Sequence, residues 1–156
     1  ISYTMETVRV FNSLYDEFIL KLMDLLPDNR PTKKYYTIFS VLRKTNPRAT
    51  LEFFMKGVMP YVLQIMSMDE SFFLSCSTLK HHLALVSDTG IHTLWGVLGD
   101  SSKQAIWQYM RGLTKLAFKY YGIKSKDIET VVTGYDSETT NFKTYLSNWK
   151  SLNTKK

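Results

Sequence analysis

Apolar residues recur at intervals of three and four along most of the chain, which is the spacing of one face of an α-helix. The pattern predicts a first helix over about Met5–Leu26, ended by Pro27. Its apolar face consists of Val8, Phe11, Tyr15, Phe18, Leu22 and Leu25. A second helix is predicted over about Pro31–Lys44. The residues that we expect it to bury are Tyr35, Ile38, Phe39 and Leu42.

The third predicted helix begins at Asn46 and carries an almost continuous apolar face. Asn46 is expected to cap its first turn, and Pro47 suits the first helical position because no N–H is needed there. Gly57 and Pro60 lie inside this helix, so we predict a kink or a break between them. Asp69 is expected to cap the turn that follows. The apolar residues of the helix are Leu51, Phe54, Met55, Val58, Met59, Val62, Ile65 and Met66.

The helix predicted over about Ser102–Tyr121 has the most regular pattern in the chain. Its apolar line consists of Ile106, Met110, Leu113, Ala117 and Tyr120. Its basic line, on the opposite side at about 100° per residue, consists of Arg111, Lys115 and Lys119. Gly122 is expected to end the helix in a left-handed conformation. The other helical segments are predicted over about residues 79–86, 91–98, 125–133 and 137–152.

Signals for β-strands are nearly absent, since no alternating run of apolar and polar residues meets a hairpin turn. We therefore predict an all-α fold, a single domain over residues 1–156 built as a bundle of about six or seven helices. Residues 1–4 are expected to be a cloning remnant or a disordered start, and residues 153–156 a frayed tail. No apolar run approaches the roughly 20 residues that a membrane-spanning helix needs.

Catalytic and cofactor motifs are missing from the sequence. It has no glycine-rich phosphate loop, no Gly-x-Ser-x-Gly turn and no His-Glu-x-x-His pair. The spacing of the single cysteine, Cys76, from His81, His82 and His92 is not typical of a zinc site. One cysteine also excludes an intramolecular disulfide, which fits a reducing compartment. We predict a protein that is not an enzyme, without metal, cofactor or small-molecule substrate.

Basic residues are concentrated in two stretches of a chain whose formal net charge is +6. The first cluster, within residues 30–48, consists of Arg30, Lys33, Lys34, Arg43, Lys44 and Arg48. The second cluster, within residues 103–126, includes Arg111, Lys115, Lys119 and Lys124. Neither stretch contains an acidic residue, so the two would bind phosphates in a salt-dependent manner if they shared one face. The alternative is that both are ordinary solvated helix faces.

Four pairs of adjacent aromatic residues form a further pattern, because one helix face cannot easily bury both members of a pair. We expect one ring of each pair to contact a second helix or a partner protein. The pairs are Tyr35–Tyr36, Phe53–Phe54, Phe72–Phe73 and Tyr120–Tyr121.

Several short motifs, in this order, make the chain similar to a known group. They are Phe11-Asn12-x-x-Tyr15-Asp16-Glu17-Phe18, Leu25-Leu26-Pro27-Asp28, Asn46-Pro47-Arg48, Asp69-x-x-Phe72-Phe73, and Trp107 with Tyr109. The chain resembles a loose group of helical proteins encoded by large double-stranded DNA viruses of algae and protists, the nucleocytoplasmic large DNA viruses. After Phe73 it has Ser75-Cys76-Ser77 where that group has Lys-Asp-Tyr. The resemblance implies a viral origin and a helical fold, but no activity.

Three functions remain open. The first is association with other proteins, as a virion component or by self-assembly. The second is non-specific nucleic-acid binding through the two basic clusters. The third is a groove that binds a helix of a host protein, suggested by Leu94-Trp95-Gly96-Val97. The expected location is the cytoplasm or nucleus of a host cell, or the virion, since no signal for secretion is recognised.

Overall fold

The computed structural model describes residues 2–25, 30–71, 95–136 and 140–154, and these residues are organised in helices and turns without a strand. The α-helices are α1 (Ser2–Leu25), α2 (Arg30–Thr45), α3 (Ala49–Val58), α4 (Val62–Met66), α5 (Asp100–Tyr120), α6 (Ile128–Thr133) and α7 (Phe142–Thr154). Three 3₁₀-helices cover Met59–Tyr61, Trp95–Val97 and Ser125–Asp127. The predicted all-α bundle is confirmed.

Helices α1 and α5 form the centre of the bundle, with the most extensive mutual packing. Helix α1 also packs against α2 and α3, and α5 also packs against α3 and α4. Helices α2 and α5 hardly touch each other. Among the described residues, α2 is covered mainly on the side that faces α1 and α3, and the side chains on its other side are exposed.

The apolar face of α1 is buried as predicted except at Leu25, which is half-buried, and it contacts the neighbouring helices through aromatic side chains. Phe11 meets Phe54 of α3 edge to face at 5.5 Å between ring centroids. Tyr15 lies 5.0 Å from Phe39 of α2. Phe18 stacks on Tyr109 of α5 at 5.1 Å. One α1 face therefore contacts three other helices, and each such aromatic pair adds about 0.5–1.5 kcal/mol to the energy of burial.

The start of α3 differs from the prediction. The helix begins at Ala49 with Arg48 at its N-cap position and no side-chain cap, so the expected cap by Asn46 was wrong. The Asn46 carbonyl accepts a hydrogen bond from the Ala49 N–H at 3.0 Å. The Pro47 carbonyl accepts one from Asn12 Nδ2 at 2.9 Å. This contact with α1 ties the α2–α3 turn to the core and takes precedence over a local cap.

The predicted break in the third helix is confirmed by the 3₁₀-helix Met59–Tyr61, which contains Pro60 and separates α3 from α4. Gly122, at φ 81°, adopts the predicted left-handed conformation after α5. Helix α5 begins at Asp100, two residues before the predicted start. Helix α7 is capped by Asn141, whose Oδ1 accepts hydrogen bonds from the backbone N–H groups of Lys143 at 2.9 Å and Thr144 at 3.4 Å.

The apolar line of α5 is buried as predicted, with Tyr120 half-buried. On α2, by contrast, the expected burial of Ile38 was wrong, because its side chain is 48% exposed. The predicted segment over residues 79–86 and most of that over 91–98 lie outside the described residues. Across the described ranges, no helix has the length and apolar character needed to cross a membrane.

Candidate functional site

The first basic cluster is divided by the structure between the two sides of α2. Thr32 and Phe39 are buried on the inner side, with Tyr35, Tyr36 and Arg43 half-buried beside them. The outer side is exposed to solvent and carries Arg30, Lys33, Lys34, Thr37, Ile38, Val41, Lys44 and Thr45.

Arg43 belongs to the packing of α2 on α1. Its guanidinium forms an ion pair with Asp16 at 3.8 Å and donates a hydrogen bond to Ser13 Oγ at 3.2 Å. Asp16 also accepts a hydrogen bond from the Tyr36 hydroxyl at 2.9 Å. This hydrogen bond to Asp16, together with burial, raises the pKa of Tyr36. Arg43 therefore pairs with the Asp16 carboxylate between α1 and α2, and it is not one of the cations that face a partner on the exposed side of α2.

The exposed side of α2 contains a continuous row of five residues, which we call the α2 outer stripe. It consists of Arg30, Lys34, Ile38, Val41 and Lys44. Spacings of four, four, three and three keep these residues on one line of the helix, over about 21 Å. Ile38 and Val41 are 48% and 57% exposed. Lys33 lies beside the stripe, and no acidic residue occurs on α2.

The second basic cluster is also divided. Arg111 is half-buried, with one terminal nitrogen 4.0 Å from Met68 Sδ, and its Nε has no hydrogen-bond partner among the described residues. Lys115 and Lys119 are exposed. Together with Lys124 they line a pocket of about 480 Å³ at the C-terminal end of α5. The floor and wall of this pocket are completed by Leu116, Gly122, Ile123 and Ser125.

A further lysine lies next to this pocket, and the sequence pattern did not point to it. A Cβ atom built on Gly122 would lie 2.7 Å from Lys150 Nζ, so the Lys150 side chain of α7 passes directly over Gly122. Twenty-eight residues separate the two positions in the sequence, and no local periodicity links them. Only the packing of α7 brings this lysine to the end of α5.

The remaining motif residues have structural positions. Arg48 is exposed, with one terminal nitrogen 3.3 Å from Met5 Sδ. Asp69 Oδ1 accepts a hydrogen bond from the Ser71 N–H at 3.0 Å, and this bond lowers the pKa of Asp69. Trp107 is buried edge to face against Trp95 at 5.5 Å, and Tyr109 is half-buried. Phe72 and Phe73 lie outside the described residues.

Of the aromatic pairs, Phe53–Phe54 is separated as expected, because Phe54 is buried and Phe53 is 65% exposed. Both members of Tyr35–Tyr36 and of Tyr120–Tyr121 are half-buried and pack against the core. In the Leu94–Val97 segment, which suggested a helix-binding groove, Leu94 is not described, Trp95 is buried and Val97 is 79% exposed.

No cluster of three or more His, Cys, Asp or Glu side chains suited to a metal occurs in the part of the chain that the structure describes. Cys76, His81, His82 and His92 lie outside that part. No family model matches the chain, and neither a curated protein nor a solved structure matches it. The α2 outer stripe and the pocket lined by Lys115, Lys119 and Lys124, which we call the lysine-lined pocket, are the two candidate binding surfaces.

Proposed function

We propose that this protein works as a non-enzymatic binding protein, and that the α2 outer stripe docks against a partner protein. The partner presents aliphatic side chains between acidic ones. The observation that carries the proposal is the order of residues in the stripe: two cations, two exposed aliphatic residues and a third cation on one line of an open helix. The resemblance to helical viral proteins would make the partner a virion or host protein, which stays a prediction.

The aliphatic centre of the stripe favours a protein over a nucleic acid. Cations alone are sufficient to bind a phosphate backbone, and burying Ile38 and Val41 against phosphates would bring little gain. Against an apolar protein surface, each Å² of their exposed area contributes about 25 cal/mol on burial. Both residues are β-branched and stiff, so little side-chain entropy is lost on binding. A complementary partner helix would place its own aliphatic side chains, at the centre of its binding face, against Ile38 and Val41.

A second copy of this chain is a poor occupant of the same stripe. Self-association of a two-fold kind places the same patch on both sides of the interface. The cations at the two ends of one stripe, Arg30 and Lys44, would then face cations of the other copy, and like charges across an interface oppose binding. Self-assembly, one form of the predicted association, would need a different surface. We therefore propose a heterologous, acidic partner.

The test uses two synthetic helical peptides of identical composition. One carries glutamates at both ends of its face and leucines at the centre, and the other has the leucines at the ends and glutamates at the centre. We expect the first to bind more tightly by fluorescence anisotropy, and Ile38→Ser with Val41→Ser to remove this difference. Lys56→Gln, which alters an exposed lysine of α3, is the matched control for the charge variants Lys34→Gln and Lys44→Gln.

The same assay separates the alternatives. Equal binding of both peptides would show that the order of charged and aliphatic groups has no effect, and would refute docking by the aliphatic centre. A DNA duplex that binds more tightly than either peptide, with affinity that falls steeply between low and physiological salt, would favour nucleic-acid binding instead. Concentration-dependent dimerisation abolished by Val41→Ser would favour self-association through the stripe.

A further inference from the structure

The lysine-lined pocket at the end of α5 is a second site, independent of the α2 outer stripe. We infer that it binds the phosphate groups of a small polyphosphorylated ligand, such as a nucleoside triphosphate. Lys115, Lys119 and Lys124 line it, no acidic residue does, and Lys150 lies at its edge beside Gly122. A volume of about 480 Å³ is in the range of small-molecule sites.

The backbone after α5 holds the lysines in place. The Gly122 N–H donates to the Lys119 carbonyl at 3.0 Å, and the Ile123 N–H donates to the Phe118 carbonyl at 2.9 Å. The left-handed Gly122 thus reverses the chain while Ile123 is buried. This turn brings Lys124 back to the side of α5 that carries Lys115 and Lys119. The arrangement follows from a fixed helix end and does not depend on a flexible loop.

The charges around the pocket favour a ligand with more than one negative group. Three lysines line one pocket, and an anion with several negative groups can interact with more than one of them at once. The neighbouring pocket contains one acidic residue, Glu6, together with Lys119, Thr7, Val10 and Leu116. A single carboxylate does not neutralise the lysines of the site. A di- or triphosphate carries enough charge to do so.

The apolar part of the pocket favours a ligand with an organic group. Leu116 and Ile123 line it alongside the lysines. Apolar surface next to the ammonium groups lowers the local dielectric constant and strengthens their attraction for phosphate. Of these two residues Ile123 is buried, so the half-buried Leu116 provides the apolar surface against which a base or another flat group would pack. Inorganic polyphosphate would use only the lysines, whereas a nucleotide would use both parts.

The binding test uses the whole chain and two probes, inorganic tripolyphosphate and ATP. Titration is followed by nitrogen–proton correlation spectra, in which we expect the amide signals of Gly122, Lys124 and Ser125 to shift. The double variant Lys119→Gln with Lys124→Gln should weaken binding by at least about tenfold, because each charge-assisted hydrogen bond that is lost makes the free energy of binding less favourable. Lys56→Gln should bind as the unchanged protein does. Thermal melts of both variants establish that they remain folded.

Tighter binding of ATP than of tripolyphosphate would support a contribution from the apolar part of the pocket. Similar affinities for the two would support a phosphate site that uses the lysines alone. Absence of shifts at millimolar concentrations of both probes would overturn the inference. So would binding that the double lysine variant leaves unchanged, or binding of a DNA oligonucleotide that tripolyphosphate does not displace. None of these outcomes depends on whether α2 docks a partner protein.

Discussion

Substitution of Gly122 by alanine tests the helix end that positions the lysine-lined pocket. Two terms oppose the substitution. The first is conformational: φ is 81°, a left-handed value, and a residue with a Cβ loses about 1–2 kcal/mol there. The second is steric, because the new Cβ would lie 2.7, 2.8 and 2.9 Å from Nζ, Cε and Cδ of Lys150. These atoms form the far end of a flexible side chain, which can move to another rotamer at a cost of about 1 kcal/mol or less.

A double-mutant cycle separates the two terms for Gly122. Urea unfolding of Gly122→Ala should show a loss of about 1–3 kcal/mol, the sum of both terms. In the background of Lys150→Ala the steric term is absent, so the same substitution should cost only the conformational part. The loss of stability in the double variant should therefore be smaller than the sum of the two single losses, by less than about 1 kcal/mol. Lys150→Ala alone should change the stability little, since the residue is exposed.

A free energy of unfolding that Gly122→Ala leaves unchanged or raises would contradict the left-handed conformation of residue 122. Alanine restricts the unfolded chain and stabilises a protein by about 0.4–1 kcal/mol where its native conformation is allowed. A neutral or positive result would therefore mean that residue 122 does not occupy the left-handed region. An equal loss with and without Lys150 would retain the helix end but contradict the contact between Lys150 and Gly122. In that case Lys150 would not lie beside the pocket.

Two further predictions concern the core and the ionisation of tyrosines. Leu113→Ala should lower the free energy of unfolding by about 2–5 kcal/mol, through lost burial and a residual cavity. Lys115→Ala should change the free energy of unfolding by less than about 0.5 kcal/mol. Equal losses in urea melts would show that α5 is rotated from this orientation. The free energy of unfolding should fall as pH rises above 10.0, because the pKa of Tyr36 is raised in the folded state and its stabilising contribution is complete only below the unfolded value. Tyr36→Phe should reduce this alkaline loss, and an unchanged pH profile would contradict the hydrogen bond to Asp16.

The elements that periodicity predicted well are those whose apolar face is covered by several neighbours. Helix α1 contacts α2, α3 and α5, and five of the six residues of its predicted apolar face are buried, with Leu25 half-buried. Helix α2 contacts mainly α1 and α3, and the arc they cover is narrower than the arc of its apolar residues. Ile38 lies at the edge of that arc and remains exposed. A periodic pattern gives the direction of the core, but the number of neighbouring helices decides how many positions are buried.

Local rules failed where a tertiary contact competed with them. The Asn46-Pro47 pair is a typical helix start, but α3 begins later because the Pro47 carbonyl is held by Asn12 of α1. Gly122 behaved as predicted, since its left-handed conformation follows from the residue type and the end of the apolar pattern. The arrival of Lys150 beside it depends on the packing of α7, which no local signal contains. Caps and turns are thus predictable only when no distant partner claims the same groups.

The basic clusters show the same limit at the level of function. Arg43 and Lys44 are adjacent and equally charged, and the sequence assigned both to one partner-binding stretch. The 100° step between them places Arg43 against Asp16 and Lys44 in solvent. The density of basic residues along a sequence therefore overestimates the size of a binding surface whenever an acidic residue on another helix pairs with one of them. The α2 outer stripe lies on the side of α2 that no other described helix covers, with the exposed Val41 between its cations. This arrangement is the reason for proposing the partner contact there.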